Sequence, residues 1–426
     1  MGLSLLVFGI FLALLFFAVP LGFAMTLAGL VVLRIDGSMN ALGAMPRVFS
    51  GMNSITLSAI PFFILSGILM ESGKISGGLV SFSRAWVGHF KGGLAYVCVL
   101  CCMMFAAVSG SSIATAVAFG NLLAPAMKKD GYEIEFIAAL QASGGTLGPI
   151  IPPSILFIMY ASVANVSIGG LFLSGVIPGI IMGLSLMVIS FFYVRKRDIV
   201  KSEPMPFGNR LKATLKSVPA LLMPVIIVGG TLAGFSSPSE AGMVACVYAL
   251  IVGSIFYKGI KLKDLPRVFA NAAMTASMVL MMMGFAAVMN FTLTRLNFAR
   301  MVGVFLTGIV STGTGVLLII VAFLLILCCF MDANAALLLF TPIFFPLAAP
   351  FGIHPLHLGL VTVVCIVIGQ VTPPVGVLLS ATAQLHNVPV HKTYKYVWPM
   401  LAALIISLFA FLFIPQLSTW LPGMLM

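Results

Sequence analysis

Apolar residues in this chain gather into long runs. They lie at roughly 3–33, 54–72, 92–126, 136–193, 218–257, 268–294, 301–349, 356–382 and 397–421. A membrane-spanning helix needs about 20 such residues, so the runs leave room for upwards of about ten membrane-embedded segments. Several exceed a single crossing and are interrupted by Gly, Pro or Ser. Inside a bilayer, backbone unwinds only where protein or a cavity shelters it, so the interruptions are the first places to look for function. The first run begins at Leu3 with no basic segment before it, so it reads as a retained span and not a cleaved leader. Two readings of it stay open: a turn near Pro20, or one long span with its N-terminus inside.

Composition makes the class plain. Of 426 residues, 61% are hydrophobic and 8% charged, against about a quarter charged in soluble chains. The predicted fold is an all-α polytopic membrane protein. The net charge of +12 would suggest nucleic acid in a soluble protein, but here it fits cytoplasmic loops. Its densest part is Arg195, Lys196, Arg197, Lys201, Arg210, Lys212 and Lys216, opposed by Asp198 and Glu203. Residues 195–217 are therefore expected to be a cytoplasmic linker. The seven Cys lie in apolar runs without zinc spacing, and read as packing residues.

The chain repeats itself. Pro46-Arg47-Val48-Phe49 recurs as Pro266-Arg267-Val268-Phe269, Pro125 as Pro346, Gly131 as Gly352 and Gly148 as Gly369. Pro152-Pro153 recurs as Pro373-Pro374, and Asn165-Val166 as Asn387-Val388. A near-constant offset over this distance indicates duplication, with halves at 1–215 and 216–426. From a cytoplasmic linker, 218–234 runs outward, Ser236–Ser239 turns and 240–257 returns. That leaves Lys258, Lys261 and Lys263 in the cytoplasm. The matching loop of the first half, 34–47, carries only Arg34, Arg47 and Asp36 and is expected outside. The two halves are then inverted repeats.

Both halves carry the same pair of breaks. In the first they are Ser109-Gly110-Ser111-Ser112 and Gly144–Pro149, followed by Pro152-Pro153-Ser154; in the second, Asp332-Ala333-Asn334 and Gly369–Pro374. Gly and Pro interrupt helices and free carbonyls, and Ser, Thr, Asn and Asp add side-chain oxygens. Such oxygens suit Na⁺, and the exposed helix N-termini suit an anion. Asp332 stands far from any loop, which favours a role with a cation; capping a helix is the other reading. Glu71 and Lys74 close a span and read as interfacial. Lys74 falls in register with Arg295, which is a candidate for a substrate carboxylate or an interfacial anchor. Glu240 reads as a cap, and the five His show no ligand spacing. No phosphate loop, His-Glu-x-x-His or Gly-x-Ser-x-Gly motif is present, so ATP hydrolysis and the commonest hydrolytic chemistries are not expected, and the chain is not read as an enzyme.

Together, Ser109–Ser112, Gly144–Pro153, Met331–Asn334 and Gly369–Pro374 resemble the large membrane subunit of tripartite ATP-independent periplasmic (TRAP) transporters, over essentially the whole chain. The resemblance implies helical hairpins that enter the membrane without crossing it, around 92–126 and 320–349. It implies a scaffold, an elevator-type transport domain and Na⁺-driven uptake across the bacterial inner membrane. One Na⁺ position would use Ser109, Gly110, Ser111 and Ser112 with Gly145, Thr146 and Pro149. The other would use Asp332, Ala333 and Asn334 with Gly369, Thr372 and Pro373. Substrate would lie between the tips, with Ser111, Thr146 and Asn334 as contacts beside the Arg295 candidate. The implied partners are a small four-helix membrane subunit, a periplasmic substrate-binding protein and an organic acid, with sialic acid slightly ahead of a C4-dicarboxylate. A stand-alone Na⁺/divalent-anion symporter, a channel and an intramembrane hydrolase are the competing readings.

Overall fold

A computed structural model describes residues 2–37, 41–200, 203–232, 234–308, 310 and 312–426. Among the described residues all regular structure is helical. Six helices among the described residues are long and apolar enough to cross a membrane, or seven if the bent pair Met45–Met52 and Thr56–Ser72 is one span. The chain is a multi-pass membrane protein.

The first long run is two helices. α1 (Gly2–Phe16) ends before Pro20 and α2 (Leu21–Ile35) begins after it, with Ala18 at φ 57° between them. The two pack against each other. Each has 15 residues, about 22 Å at ~1.5 Å per residue, too short to cross a ~30 Å hydrocarbon core upright. α3 (Ala41–Met52), α4 (Ala59–Ser72) and α5 (Ile75–Val87) complete an outer layer in the first half. There follow α6 (Gly93–Ser109), α7 (Ser112–Lys129), α8 (Ile134–Gly145), α9 (Ile155–Ala164) and α10 (Ile168–Arg195).

The second half opens with α11 (Phe207–Pro224), whose end passes into a π-helical turn at Val225–Gly229. The short α12 (Gly230–Leu232) and α13 (Pro238–Ile251) follow, the latter running into a second π turn at Val252–Phe256. Pro219 and Pro224 withhold backbone donors, which accounts for the wider turn in α11. Ser237 and Glu240 form a reciprocal cap on α13, as the sequence suggested for Glu240. Then come α14 (Leu265–Arg295), α15 (Phe298–Thr307), α16 (Gly313–Leu327), α17 (Ala333–Ala348), α18 (Pro355–Gly369), α19 (Val377–Leu385), α20 (Val390–Phe413) and α21 (Gln416–Leu425).

α14 is the spine of the outer layer, packed on α2, α3 and α4, while α13 lies on α4 and α11 on α5. The α3–α14 crossing is close because glycine sits on both sides. A Cβ on Gly284 would lie 2.8 Å from the Val48 carbonyl, and one on Gly51 2.5 Å from the Ala287 Cβ. Gly284→Leu is expected to push the helices apart at an overpacking cost of about 1–3 kcal/mol. The check is a lower unfolding midpoint of the purified protein in detergent.

The inner layer interlocks the halves. α8 packs against α6 and α7 of its own half and α19 and α20 of the other; α17 packs against α9. α8 is buried from Phe136 to Gly145 and α18 from His357 to Gly369, on every face, as helices apolar all round require. At the loop side, Arg197 pairs with Glu133 and lies 4.5 Å above the Tyr193 ring. Tyr193 stacks on Phe136 at 3.5 Å, and the Tyr396 ring meets Tyr193 edge-on at 5.8 Å. This cluster ties α8, α10 and α20 together. Asn165 and Asn387, paired by the sequence repeat, both hold φ 53°, the left-handed residue that stops a helix.

Candidate functional site

Each half presents a tip resting on a broken helix. In the first half α6 ends at Gly110, φ 59°, and α7 restarts at Ser112 with Ser111 as cap. The Ser111 hydroxyl accepts from the Ala114 N–H at 3.5 Å. Thr115 Oγ1 donates to the Ser111 carbonyl at 2.8 Å and lies 2.9 Å from the Ser109 hydroxyl. The tip meets the break between α8 and α9: the Ile155 N–H donates to the Gly110 carbonyl at 3.4 Å. Two glycines allow this approach. A Cβ on Gly145 would stand 2.8 Å from the Ser112 carbonyl, and one on Gly148 2.5 Å from that of Ser111. Ser154 caps α9 and donates to the Pro149 carbonyl at 2.5 Å.

The second half repeats this with different chemistry. α16 ends before Cys328, and α17 starts at Ala333 with Asp332 as cap. The Asp332 carboxylate accepts from the N–H groups of Asn334 at 2.9 Å and Ala335 at 3.4 Å. The Gly376 N–H donates to the Cys329 carbonyl at 3.2 Å. A Cβ on Gly369 would fall 2.4 Å from that of Cys328. Thr372 Oγ1 donates to the Ile368 carbonyl at 2.8 Å. Both Pro-Pro bonds, Pro152-Pro153 and Pro373-Pro374, are cis.

The two tips share one cavity of about 420 Å³. Ser109, Gly110, Ser111 and Ser112 form one side, Asp332, Ala333 and Asn334 another, with Pro149 and Gln370 from the two breaks. Ile64, Gly67, Ile68 and Glu71 of α4 and Thr275 and Val279 of α14 close it from the outer layer. Its volume is that of a small-molecule site. Of the residues singled out in the sequence, those of both tips and Pro149 meet at this wall. Gly145, Thr146, Gly369, Thr372 and Pro373 are not on it. Gly145 and Gly369 lie behind the tips, and Thr146 is fully buried with Oγ1 donating to the Ser143 carbonyl at 2.6 Å. Arg295 is elsewhere: it ends α14, half-exposed, 4.0 Å from Asp36.

Glu71, Thr275 and Gln370 on the wall had no sequence assignment to the site. Glu71 closes a span, where an interfacial reading is the natural one. Thr275 is one hydroxyl in an apolar helix. Gln370 stood inside the second break, and its position in that break was the available signal. It is 2% exposed, and its Oε1 has no hydrogen-bond partner. The wall's donor atoms are hydroxyl, amide and carbonyl oxygens with the carboxylates of Asp332 and Glu71, a hard set that suits Na⁺. Among the described residues no His, Cys, Asp and Glu gather in a metal-binding group.

The comparisons with known proteins agree with one another. Residues 8–417 match the family model "Tripartite ATP-independent periplasmic transporter, DctM component". The C4-dicarboxylate TRAP transporter large permease protein DctM of Pseudomonas aeruginosa is 37% identical over 89% of each chain. The sialic acid TRAP transporter large permease protein SiaM of Vibrio cholerae is 33% identical over 98% of this chain and 97% of its own. Among solved structures, the Alcanivorax borkumensis YdaH transporter superposes with a TM-score of 0.59 at 16% identity, covering 87% of this chain and 86% of that one. That likeness speaks for the fold alone. With a family model spanning nearly every residue and relatives of this identity, the chain belongs to the DctM-component family, the large permease subunits of TRAP transporters.

Proposed function

We propose that this chain carries an organic acid across the bacterial inner membrane by Na⁺-coupled secondary transport, in an elevator-like movement. The observation that carries the reading is the single cavity onto which both tips and both broken helices converge. Inverted halves account for that convergence, because each brings one tip to the same depth from opposite sides. α1–α5 and α11–α15 would form the scaffold, and α6–α10 with α16–α21 the moving body. Relatives named for C4-dicarboxylate and sialic acid support an organic acid as cargo. The family's tripartite, periplasmic description supports a small membrane subunit, which we take to be of four helices, and a periplasmic substrate-binding protein as partners.

The coupling follows from the geometry of the tips. Na⁺ held at the two breaks would supply positive charge beside the cavity. Ser109–Ser112 with Pro149 would hold one position, and Asp332–Asn334 with Gln370 the other. Gly145, Thr146, Gly369, Thr372 and Pro373 would shape the backbone behind them. Ser112 and Ile113 at the start of α7 line the cavity, and the N–H groups of such a helix start would favour a carboxylate there. An acid that binds well only when the tips are ordered favours the Na⁺-loaded form, and the two ligands then assist each other equally.

The test is uptake into proteoliposomes holding this chain with its small-subunit partner. Uptake that requires both an inward Na⁺ gradient and the binding protein is expected. Uptake independent of the binding protein would replace the tripartite reading with a stand-alone symporter. Uptake indifferent to Na⁺ would remove the coupling.

A further inference from the structure

We infer that a cleft separate from the cavity between the tips binds an anionic phospholipid, with its headgroup beside Arg300 and one acyl chain among α1, α15, α16 and α17. The cleft shares no lining residue with that cavity. It has two adjoining parts. The first, about 340 Å³, is lined by apolar residues alone, Phe8, Phe298, Val302, Phe323, Phe340 and Phe344 among them. The second, about 220 Å³, is lined by Thr294, Asn297 and Arg300 together with apolar neighbours. Phe298 and Ile343 line both, so one molecule with a polar end and an apolar end can occupy the pair. Aromatic rings brace the apolar part. Phe8 and Phe298 meet at 5.0 Å, and Phe323 stands edge-on to Phe340 at 5.0 Å and to Phe344 at 6.0 Å.

Each part selects its occupant. A wall of apolar side chains gives a hydrophilic acid no partner for its polar groups, and suits a hydrocarbon chain. Phe323 and Ile326 of α16 are 42% and 69% exposed. In a multi-pass membrane protein such a face meets lipid, so the hydrocarbon at hand is an acyl chain. At the other end the charge is positive. Arg300 has no carboxylate partner among the described residues, whose ion pairs are Arg197 with Glu133 and Arg295 with Asp36. Neither part of the cleft is lined by an acid among the described residues. A guanidinium suits a phosphate, to which it can donate two parallel N–H groups. The depth matches as well. α14 is long enough to cross the membrane and ends at Arg295, so Arg300 stands just past the end of a span, where long basic side chains reach the headgroups. Phe8 and Phe298 lie on elements assigned above to the scaffold, and Phe323 and Phe340 on elements of the moving body, so the lipid would rest on their seam. Its binding does not depend on that assignment.

The full chain, purified in detergent with and without its small membrane subunit, would be irradiated with a phosphatidylglycerol that carries a photoreactive diazirine in one acyl chain. Mass spectrometry would then locate the labelled peptides. Labelling is expected to concentrate on α15, α16 and α17, around Phe298, Phe323 and Phe340, in both preparations. Unlabelled phosphatidylglycerol should compete at about fivefold lower concentration than phosphatidylcholine with the same chains, the factor that one basic residue adds towards an anionic lipid. Arg300→Gln should bring that ratio close to one and leave the labelled positions where they are. Val302→Trp and Ile319→Trp fill the cleft from α15 and from α16; either one that keeps the wild-type melting temperature should remove the labelling there. Labelling spread evenly over the exposed faces of α10 and α13 as well, or undiminished by the folded tryptophan variant, would overturn the site. Equal competition by the two lipids, or an unchanged ratio in Arg300→Gln, would overturn the anionic headgroup. Loss of the labelling when the small subunit is present would give the cleft to that subunit and overturn the lipid.

Discussion

Asp332→Asn is expected to lower Na⁺-driven uptake at least about tenfold and to raise the Na⁺ concentration needed for half-maximal rate, with little change in the unfolding midpoint. The substitution separates two roles of one side chain. Asp332 caps α17 through the Asn334 and Ala335 N–H groups. Asn caps a helix about as well as Asp, whereas Ala forfeits about 1 kcal/mol. Asn therefore keeps the tip folded and removes only the charge. A lost charge-assisted contact of about 1.4 kcal/mol or more corresponds to the tenfold effect. Asp332→Ala should show the same transport defect with an added loss of stability. Normal Na⁺ dependence in Asp332→Asn would reduce Asp332 to a cap. Uptake and its Na⁺ titration in proteoliposomes, beside a melt in detergent, decide between the two.

Gly110→Ala is expected to abolish most uptake, by an entirely steric route. Gly110 holds φ 59° at the end of α6, where a side chain costs about 1–2 kcal/mol. The added methyl would also stand 2.7 Å from the Pro153 carbonyl and 3.1 Å from the Ile155 nitrogen. Those atoms belong to the break that the tip rests on, so relief requires the tip to lift from it. The Gly110 carbonyl would then lose the Ile155 N–H. A fall in uptake to less than about a tenth follows from a displacement of ~1 Å at a binding site. Gly77→Ala is the control. A Cβ there meets nothing within 4 Å, and Ala favours the helical state by up to about 1 kcal/mol. Unaltered transport in both variants would show that the first tip does not govern the cavity.

How far the sequence reached depended on what kind of signal each residue gave. Ser109–Ser112 and Asp332–Asn334 were legible because polar residues in an apolar run demand an explanation, and the repeat supplied a second copy to check against. Pro20 suggested a turn, since proline is poorly placed inside a helix, but left one long span open, and α1 and α2 decide for the turn. Asn165 and Asn387 were read only as matching positions of the repeat, and their part in ending two helices appeared with their left-handed backbone. Residues whose meaning depends on which way a helix is turned stayed illegible. Glu71 sits at the end of α4, a position equally suited to snorkelling and to facing a cavity; only the packing of α4 on α13 and α14 turns it inward. Arg295 shows the reverse: register with Lys74 made it a candidate, yet the end of α14 carries it to Asp36. The closeness of tip to break was hidden too. It depends on the small size of Gly145, Gly148 and Gly369, whose roles appear only once their neighbours across the fold are placed.

The packing of α8 bears on how such a chain is made. Phe136 to Gly145 are enclosed on two sides by α19 and α20, which are synthesised long after α8. Until they arrive, the first half holds an apolar helix with a broken end that α6 and α7 cover on one side only, in a setting where bare backbone is poorly tolerated. Duplication thus produced two copies that resemble each other yet are not autonomous. A polypeptide stopped after the mid-chain linker would keep its own tip on the break but lack α17, α19 and α20 against α8 and α9, and should be recognised by membrane quality control as unfinished.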